Sequence, residues 1–327
     1  MSGMSYWSYG ALLVVAVILG GLTLWLAAHR FRLRQEARLH PAPGELVSVE
    51  GTPQHVFTAG RGQHTLVFLA GHGTCCPTLD FKPLWSELQD HHRIVVVERP
   101  GYGWSQPSKR PRSVEQLLSE TREALRRSGE QPPFVLVPHS MAGLESLLWA
   151  QRFPKEVSAI IGLDACVPRS IELLPKPKWL GLYLMGVMVR CGLPRLMNDT
   201  DLGRALPLLG MDELTDQEKA ALCVRFYRGA VSSSMLQELH TLTSNAKQVG
   251  VGSPPVHTPV LSFVSETQTT DVKGWDQRLS EYFSQMTINQ QIMLDGGHYL
   301  HYTHSKEMCR TIESFLLGIT EKHLQSY

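Results

Sequence analysis

The sequence predicts an α/β fold: a mostly parallel, eight-stranded, doubly wound sheet with helices on both faces, carrying a helical insertion and preceded by one membrane-length helix. Three observations predict it. The runs L-V-F-L-A (66–70), I-V-V-V-E (94–98), F-V-L-V (134–137) and A-I-I-G-L (159–163) are short, apolar and rich in β-branched residues, the pattern of strands covered on both faces. Helical stretches with interspersed charge alternate with these runs, the order that builds a parallel sheet. The alternation stops over 168–256, where no convincing strand occurs and the pattern is helical.

The first element spans residues 9–28, Y-G-A-L-L-V-V-A-V-I-L-G-G-L-T-L-W-L-A-A, 20 residues without a charge. As a helix it would extend about 30 Å, the depth of a bilayer core. Tyr6, Trp7 and Tyr9 stand at one end and Trp25 near the other, where amphipathic rings favour the membrane interface. A cleaved secretory signal would need a basic segment before the apolar run, and none is present. We therefore expect an anchor over 1–28. Arg30, Arg32, Arg34 and Arg38 follow it, opposed only by Glu36, which predicts a cytoplasmic location for everything downstream. Residues 29–45 are expected to be a basic juxtamembrane linker, ending in the stiff P-A-P-G of 41–44.

Strands are expected at 46–50, 55–59, 65–70, 93–98, 134–138, 158–163, 260–264 and 290–294, and helices at 114–128, 141–152 and 305–319. The core thus divides into 46–167 and 257–327 around the insertion. Within 168–256, helices are expected at 179–191, 199–209, 215–232 and 234–247. The uncharged stretch 179–189 is too short to span a bilayer, so it reads as a buried or interfacial lid helix. Trp179, Tyr183, Met185 and Met188 would pack there or line an acyl pocket.

Composition excludes several functions. The formal net charge is +1, which leaves no basic field for nucleic acid. Six Cys in 327 residues are too few for a disulfide scaffold. His298, His301 and His304 are evenly spaced, but no Cys or Asp cluster accompanies them, so neither a metal site nor a cofactor is expected.

The chemistry concentrates in F-V-L-V-P-H-S-M-A-G over 134–143. A β-branched strand runs into Ser140, and small residues open a helix behind it. That strand–turn–helix context holds a serine hydroxyl above the sheet and aims a helix N-terminus at it. The common G-x-S-x-G pattern is altered, with Pro138 and Ala142 in place of the glycines.

Together with three further stretches, this segment resembles the α/β-hydrolase superfamily, in its lid-bearing, esterase-like branch. The others are L-V-F-L-A-G-H-G-T (66–74), V-V-V-E-R-P-G-Y-G-W-S (95–105), with Glu98 where the family usually has Asp, and M-L-D-G-G-H (293–298). The resemblance implies Ser140 as nucleophile and His298 as its base. It also implies an oxyanion hole from the amides of Met141 and Thr74, with Gly73 as the alternative to Thr74. His72, Gly73 and His139 would border the substrate. The acid is less directly marked: the usual position falls on Gln268, with Glu266 and Asp271 out of step. Asp164, at the end of the preceding strand, is taken as the acid, and Asp271 is the alternative. The implied activity is hydrolysis of a carboxylic ester, or of a thioester or amide, on a small-molecule or lipid-like substrate. A non-catalytic binding protein and an aminopeptidase-like amidase are the competing readings.

Overall fold

The computed structural model describes residues 6–324, so the outermost residues of the expected 1–28 and 257–327 segments lie outside the described part. An eight-stranded sheet has the order β1-β2-β4-β3-β5-β6-β7-β8. Its strands are β1 (Glu45–Val49), β2 (Thr52–Ala59), β3 (Thr65–Leu69), β4 (Arg93–Val97), β5 (Phe134–Pro138), β6 (Val157–Leu163), β7 (Val260–Ser265) and β8 (Asn289–Leu294). β2 runs antiparallel to both its neighbours, and the remaining pairs are parallel. The β1–β2 hairpin turns on Glu50 and Gly51, both at positive φ, as a two-residue loop between twisted strands requires.

The helices in chain order are α1 (Tyr6–Leu39), α2 (Pro77–Asp80), α3 (Lys82–Leu88), α4 (Val114–Arg127), α5 (Ala142–Arg152), α6 (Trp179–Arg190), α7 (Asp199–Ala205), α8 (Asp216–Gly229), α9 (Ser233–Val251), α10 (Glu266–Asp271), α11 (Trp275–Phe283), α12 (Leu300–Thr303) and α13 (Ser305–Leu324). Adjacent strand residues enter different cores. Val67 and Leu69 join Leu118 of α4, Leu147 of α5 and Leu279 of α11. Leu66 and Phe68 join Leu84 of α3 and Ile312 of α13. Side-chain alternation with both faces covered is why these strands read as unbroken apolar runs.

Two expectations change. The segment 29–45 is not a linker throughout: α1 continues to Leu39. Nothing between Ala28 and Leu39 breaks a helix, and Arg, Leu, Gln, Glu and Ala all favour one. The lower part of α1 is also held laterally. Trp25 Nε1 donates to Cys191 O at 2.7 Å, and Arg195 donates to His29 Nδ1 at 3.0 Å and to both Glu36 carboxylate oxygens. In α6, Trp179 stacks on His240 at 3.7 Å between ring centroids. Tyr183, Met185 and Met188, however, are exposed, so these three do not pack in a core.

The strand ends set the location of the site. Thr74 follows β3, Ser140 follows β5, Asp164 follows β6 and His298 follows β8, all beyond the carboxyl ends of parallel strands. Ligands bind there in open α/β sheets.

Candidate active site

Ser140 occupies the turn between β5 and α5 with φ of 53°, a conformation that costs a non-glycine residue on the order of 1–3 kcal/mol. The surrounding hydrogen bonds hold it there. His139 N donates to Leu69 O at 2.9 Å, Ser140 N to Leu163 O at 3.2 Å, and Cys166 N to Ser140 O at 2.8 Å. The turn is thereby fastened to β3 on one side and to the end of β6 on the other.

Two glycines explain why this serine tolerates a departure from G-x-S-x-G. A Cβ on Gly143 would lie 2.2 Å from Cys166 O, and one on Gly71 would lie 2.7 Å from Ser140 Cβ. The tight crossings fall three residues after the serine and on the β3 loop, so Ala142 can fit without a glycine there.

Asp164 and His298 come together. His298 Nδ1 stands 2.6 Å from Asp164 Oδ2. Asp164 Oδ1 accepts from Trp275 Nε1 at 2.8 Å and from Ser265 N at 3.3 Å. With the carboxylate facing Nδ1, that nitrogen carries the proton and Nε2 the lone pair. Asp164 is fully buried, whereas 27% of the His298 side chain is exposed. Ser265 Oγ also donates to Gly296 O at 2.7 Å, tying the loop that bears His298 to the end of β7. Asp271 is exposed at the end of α10.

Ser140 Oγ makes no hydrogen bond to His298 among the described residues. Its hydroxyl sits against the Cys166 thiol, which burial and the nearby Asp164 charge push up to about 12. Hydrogen bonds of this kind are often open in unliganded hydrolases and tighten around substrate.

His139, expected at the substrate, is buried beneath the site instead. Its Nε2 lies 3.2 Å from His298 O, and its ring packs on those of His298 and Tyr299 at 4.7 and 4.8 Å. The bond to a carbonyl makes Nε2 the donor, and burial holds the imidazole well below its ordinary pKa. His139 is therefore a neutral support for the backbone of His298.

Around the β3 loop, Gly73 is exposed at φ of 83°. His72 is half-buried, and burial depresses its pKa to about 4. Thr74 is buried, and its hydroxyl sits against that of Tyr299. The backbone hydrogen bonds of the two turns leave out the amides of Met141, Gly73 and Thr74. His301 and His304 diverge from His298: His301 faces Asp80 at 3.1 Å and His304 faces Thr303 at 2.8 Å.

Sequence reasoning missed the supporting residues. Arg99, in the E-R-P-G segment, donates from Nη2 to Ala70 O at 2.6 Å and to Gly71 O at 3.3 Å. It fixes the loop that crosses Ser140. Glu98, the residue that replaces the usual Asp, accepts from Thr78 Oγ1 at 2.9 Å and Trp104 N at 2.7 Å, and meets His55 Nδ1 at 3.0 Å. Its position in a motif pointed to Glu98, but no local pattern marks Trp275.

The family profile for the alpha/beta hydrolase fold matches residues 65–301. The uncharacterized protein YbdG of Bacillus subtilis (strain 168) is 32% identical over 260 residues, spanning 76% of this chain and 78% of that protein. A candidate epoxide hydrolase from Pseudomonas aeruginosa matches with a TM-score of 0.68 at 18% identity, over 85% of this chain and 96% of that one. A candidate lipase from Acinetobacter baumannii AYE matches with a TM-score of 0.65 at 16% identity, over 90% and 97%. At such identities the two structures bear on fold alone. On the family profile and the YbdG match, the chain belongs to the alpha/beta hydrolase fold family.

Proposed function

We propose that the chain is a serine hydrolase of carboxylic esters, with Ser140 as nucleophile, His298 as general base and Asp164 as the group that orients it. The observation that carries this reading is the 2.6 Å approach of His298 Nδ1 to Asp164 Oδ2, beside a serine held at positive φ. A serine hydroxyl needs a base to take its proton, and that base needs Nδ1 engaged so that Nε2 can accept it. Attack of Oγ on an ester carbonyl forms a tetrahedral oxyanion. The amides of Met141 and Thr74 would receive that charge, each donor contributing about 3 kcal/mol. His298 then returns the proton to the departing alcohol, and water hydrolyses the acyl-enzyme by the same route. No cofactor enters.

The nucleophile also bears on the choice between esters and epoxides, since related folds carry out both reactions. Opening an epoxide with a serine would leave an ether on the enzyme, which has no acyl carbon for water to attack. An acyl ester on Ser140 does have one.

The apolar helix α1 would anchor this domain to a membrane. An 18-residue window of this helix reaches a mean hydropathy of 2.5, and none of that window is buried against the described residues. The exposed Arg30, Arg32, Arg34 and Arg38 favour a cytoplasmic domain. Protease protection of tagged termini in membrane vesicles tests that orientation.

For the chemistry, the purified chain is treated with a fluorophosphonate probe and with p-nitrophenyl esters of increasing chain length. Labelling that is lost in Ser140→Ala and kept in Ser119→Ala is expected. A folded wild-type protein that takes no label would favour a non-catalytic role.

A further inference from the structure

The face of the insertion formed by Leu180, Leu184 and Val187 of α6 is not covered by any other element among the described residues. Only Gly186 and Val189 of this 12-residue helix are buried. Leu180 is 75% exposed, Leu184 54% and Val187 52%, with Tyr183, Met185 and Met188 beside them. Isolated exposed leucines need no explanation, but a contiguous apolar helix face does.

Two independent observations indicate what covers it. The first is depth. Trp25 lies three residues before the end of the apolar run in α1, or about 5 Å along the helix axis. Its indole donates to Cys191 O at 2.7 Å, and Cys191 directly follows the last residue of α6. The His29 ring sits against Gly192, where a Cβ would come within 2.5 Å of it, and Arg195 bridges His29 and Glu36. The end of α6 is thus held at the level where α1 would leave a bilayer. The second is charge. From Leu173 to Asn198 the chain has no acidic residue, and it carries Lys176 and Lys178 before α6 and Arg190 as its last residue, all three exposed. Together with the arginines of α1, these would meet the anionic headgroups of an inner leaflet. Apolar residues on one face and Lys or Arg at the margins describe a helix lying in the membrane interface.

We propose that α6 embeds its Leu180–Leu184–Val187 face in the same leaflet that α1 leaves, so that the insertion is a second, in-plane membrane contact. This rests on the reading of α1 as an anchor.

The test uses the full chain in phosphatidylcholine vesicles with a minor share of phosphatidylserine. An environment-sensitive fluorescent amino acid replaces one exposed residue at a time: Val15 in α1, Leu184 in α6, or Lys155 at the opposite edge of the sheet. Phosphatidylcholine brominated on its acyl chains close to the headgroup is the quencher. The expected result is loss of most emission at Val15 and Leu184, and none at Lys155. Quenching at Val15 without quenching at Leu184 overturns the proposal and leaves the anchor standing, whether water or a second copy covers the face. Quenching at neither overturns both readings. Equal quenching at all three positions overturns the proposal as well, because the contact is then not specific to α6.

Discussion

The Asp164 carboxylate divides its two oxygens between different tasks: Oδ2 meets His298 Nδ1 at 2.6 Å, and Oδ1 accepts from Trp275 Nε1 at 2.8 Å. The first contact joins segments 134 residues apart and the second segments 111 apart. Asp164 is itself held at positive φ, and its amide donates to Phe263 O at 2.9 Å. Backbone, indole and imidazole therefore fix a single carboxylate orientation, and through it the orientation of the His298 ring.

That division predicts a graded series. Asp164→Asn should lower kcat for a p-nitrophenyl ester by about 10⁴-fold, the loss seen when the orienting acid no longer sets the imidazole tautomer. Trp275→Phe removes one donor to the far oxygen and should cost about tenfold, roughly the worth of one hydrogen bond to a charged group. Asp271→Asn should leave kcat unchanged. If Asp271→Asn abolished turnover while Asp164→Asn did not, the assignment of the acid would be wrong.

Gly143→Ala should destabilise the protein and lower activity together. The added methyl would meet Cys166 O at 2.2 Å, and a backbone oxygen cannot rotate away as a side chain does. Overpacking of this kind costs typically about 1–3 kcal/mol. Relief would have to come from moving the 164–166 segment, which carries Asp164. Thermal unfolding and ester turnover measured on the same preparation check both effects. A variant as stable and active as the wild type would mean that this crossing is looser than the geometry indicates.

Much of this was legible in the sequence because it is local. Eight apolar runs marked the eight strands, and the strand–serine–helix context marked Ser140 although both flanking glycines are replaced. Asp164 and His298 were legible through their places at strand ends. What stayed hidden depends on contacts between distant segments. Trp275 reads as one more apolar residue of a helix, and only the fold brings its indole to Asp164. Arg99 reads as part of a loop motif, and its hold on Ala70 and Gly71 is a crossover contact. His139 was expected at the substrate because it adjoins Ser140, but the fold buries its ring against those of His298 and Tyr299. For α6, composition left burial and an interfacial position both open, and only its surroundings in the fold show that it is exposed.

Acid should destabilise the domain through histidines that fold in the neutral form. His92 is buried, with no partner on either ring nitrogen among the described residues, and burial, followed by the nearby His64 and His91, lowers its pKa from 6.5 to about 4. The unfolded chain therefore takes up a proton that the folded one refuses. Stability is retained above pH 6.5 and is lost as pH falls toward the folded value. At about pH 5.5 the difference from this one group is about 1.4 kcal/mol. His92→Phe, which retains a ring of similar size, should flatten the fall in Tm between about pH 7 and pH 5 without changing turnover. Identical slopes for variant and wild type would exclude His92 as a source of the acid sensitivity.

Removing the charge of Glu238 should loosen the insertion from the core. Glu238 lies on α9 and is 4% exposed. It accepts from Tyr102 Oη at 2.6 Å, and its carboxylate lies 3.5 Å from Arg99 Nη2 and 3.7 Å from Arg112 Nε. Both arginines are buried, and Arg99 is the residue that fixes the β3 loop over Ser140. Truncating one member of a buried ion network costs about 3–5 kcal/mol, because the partners left behind stay charged and desolvated. Glu238→Ala should therefore lower Tm and speed proteolysis within 168–256. It should also lower kcat more than Glu238→Gln, which retains an acceptor for the Tyr102 hydroxyl. Equal turnover in the two variants would show that Arg99 holds its loop without help from α9.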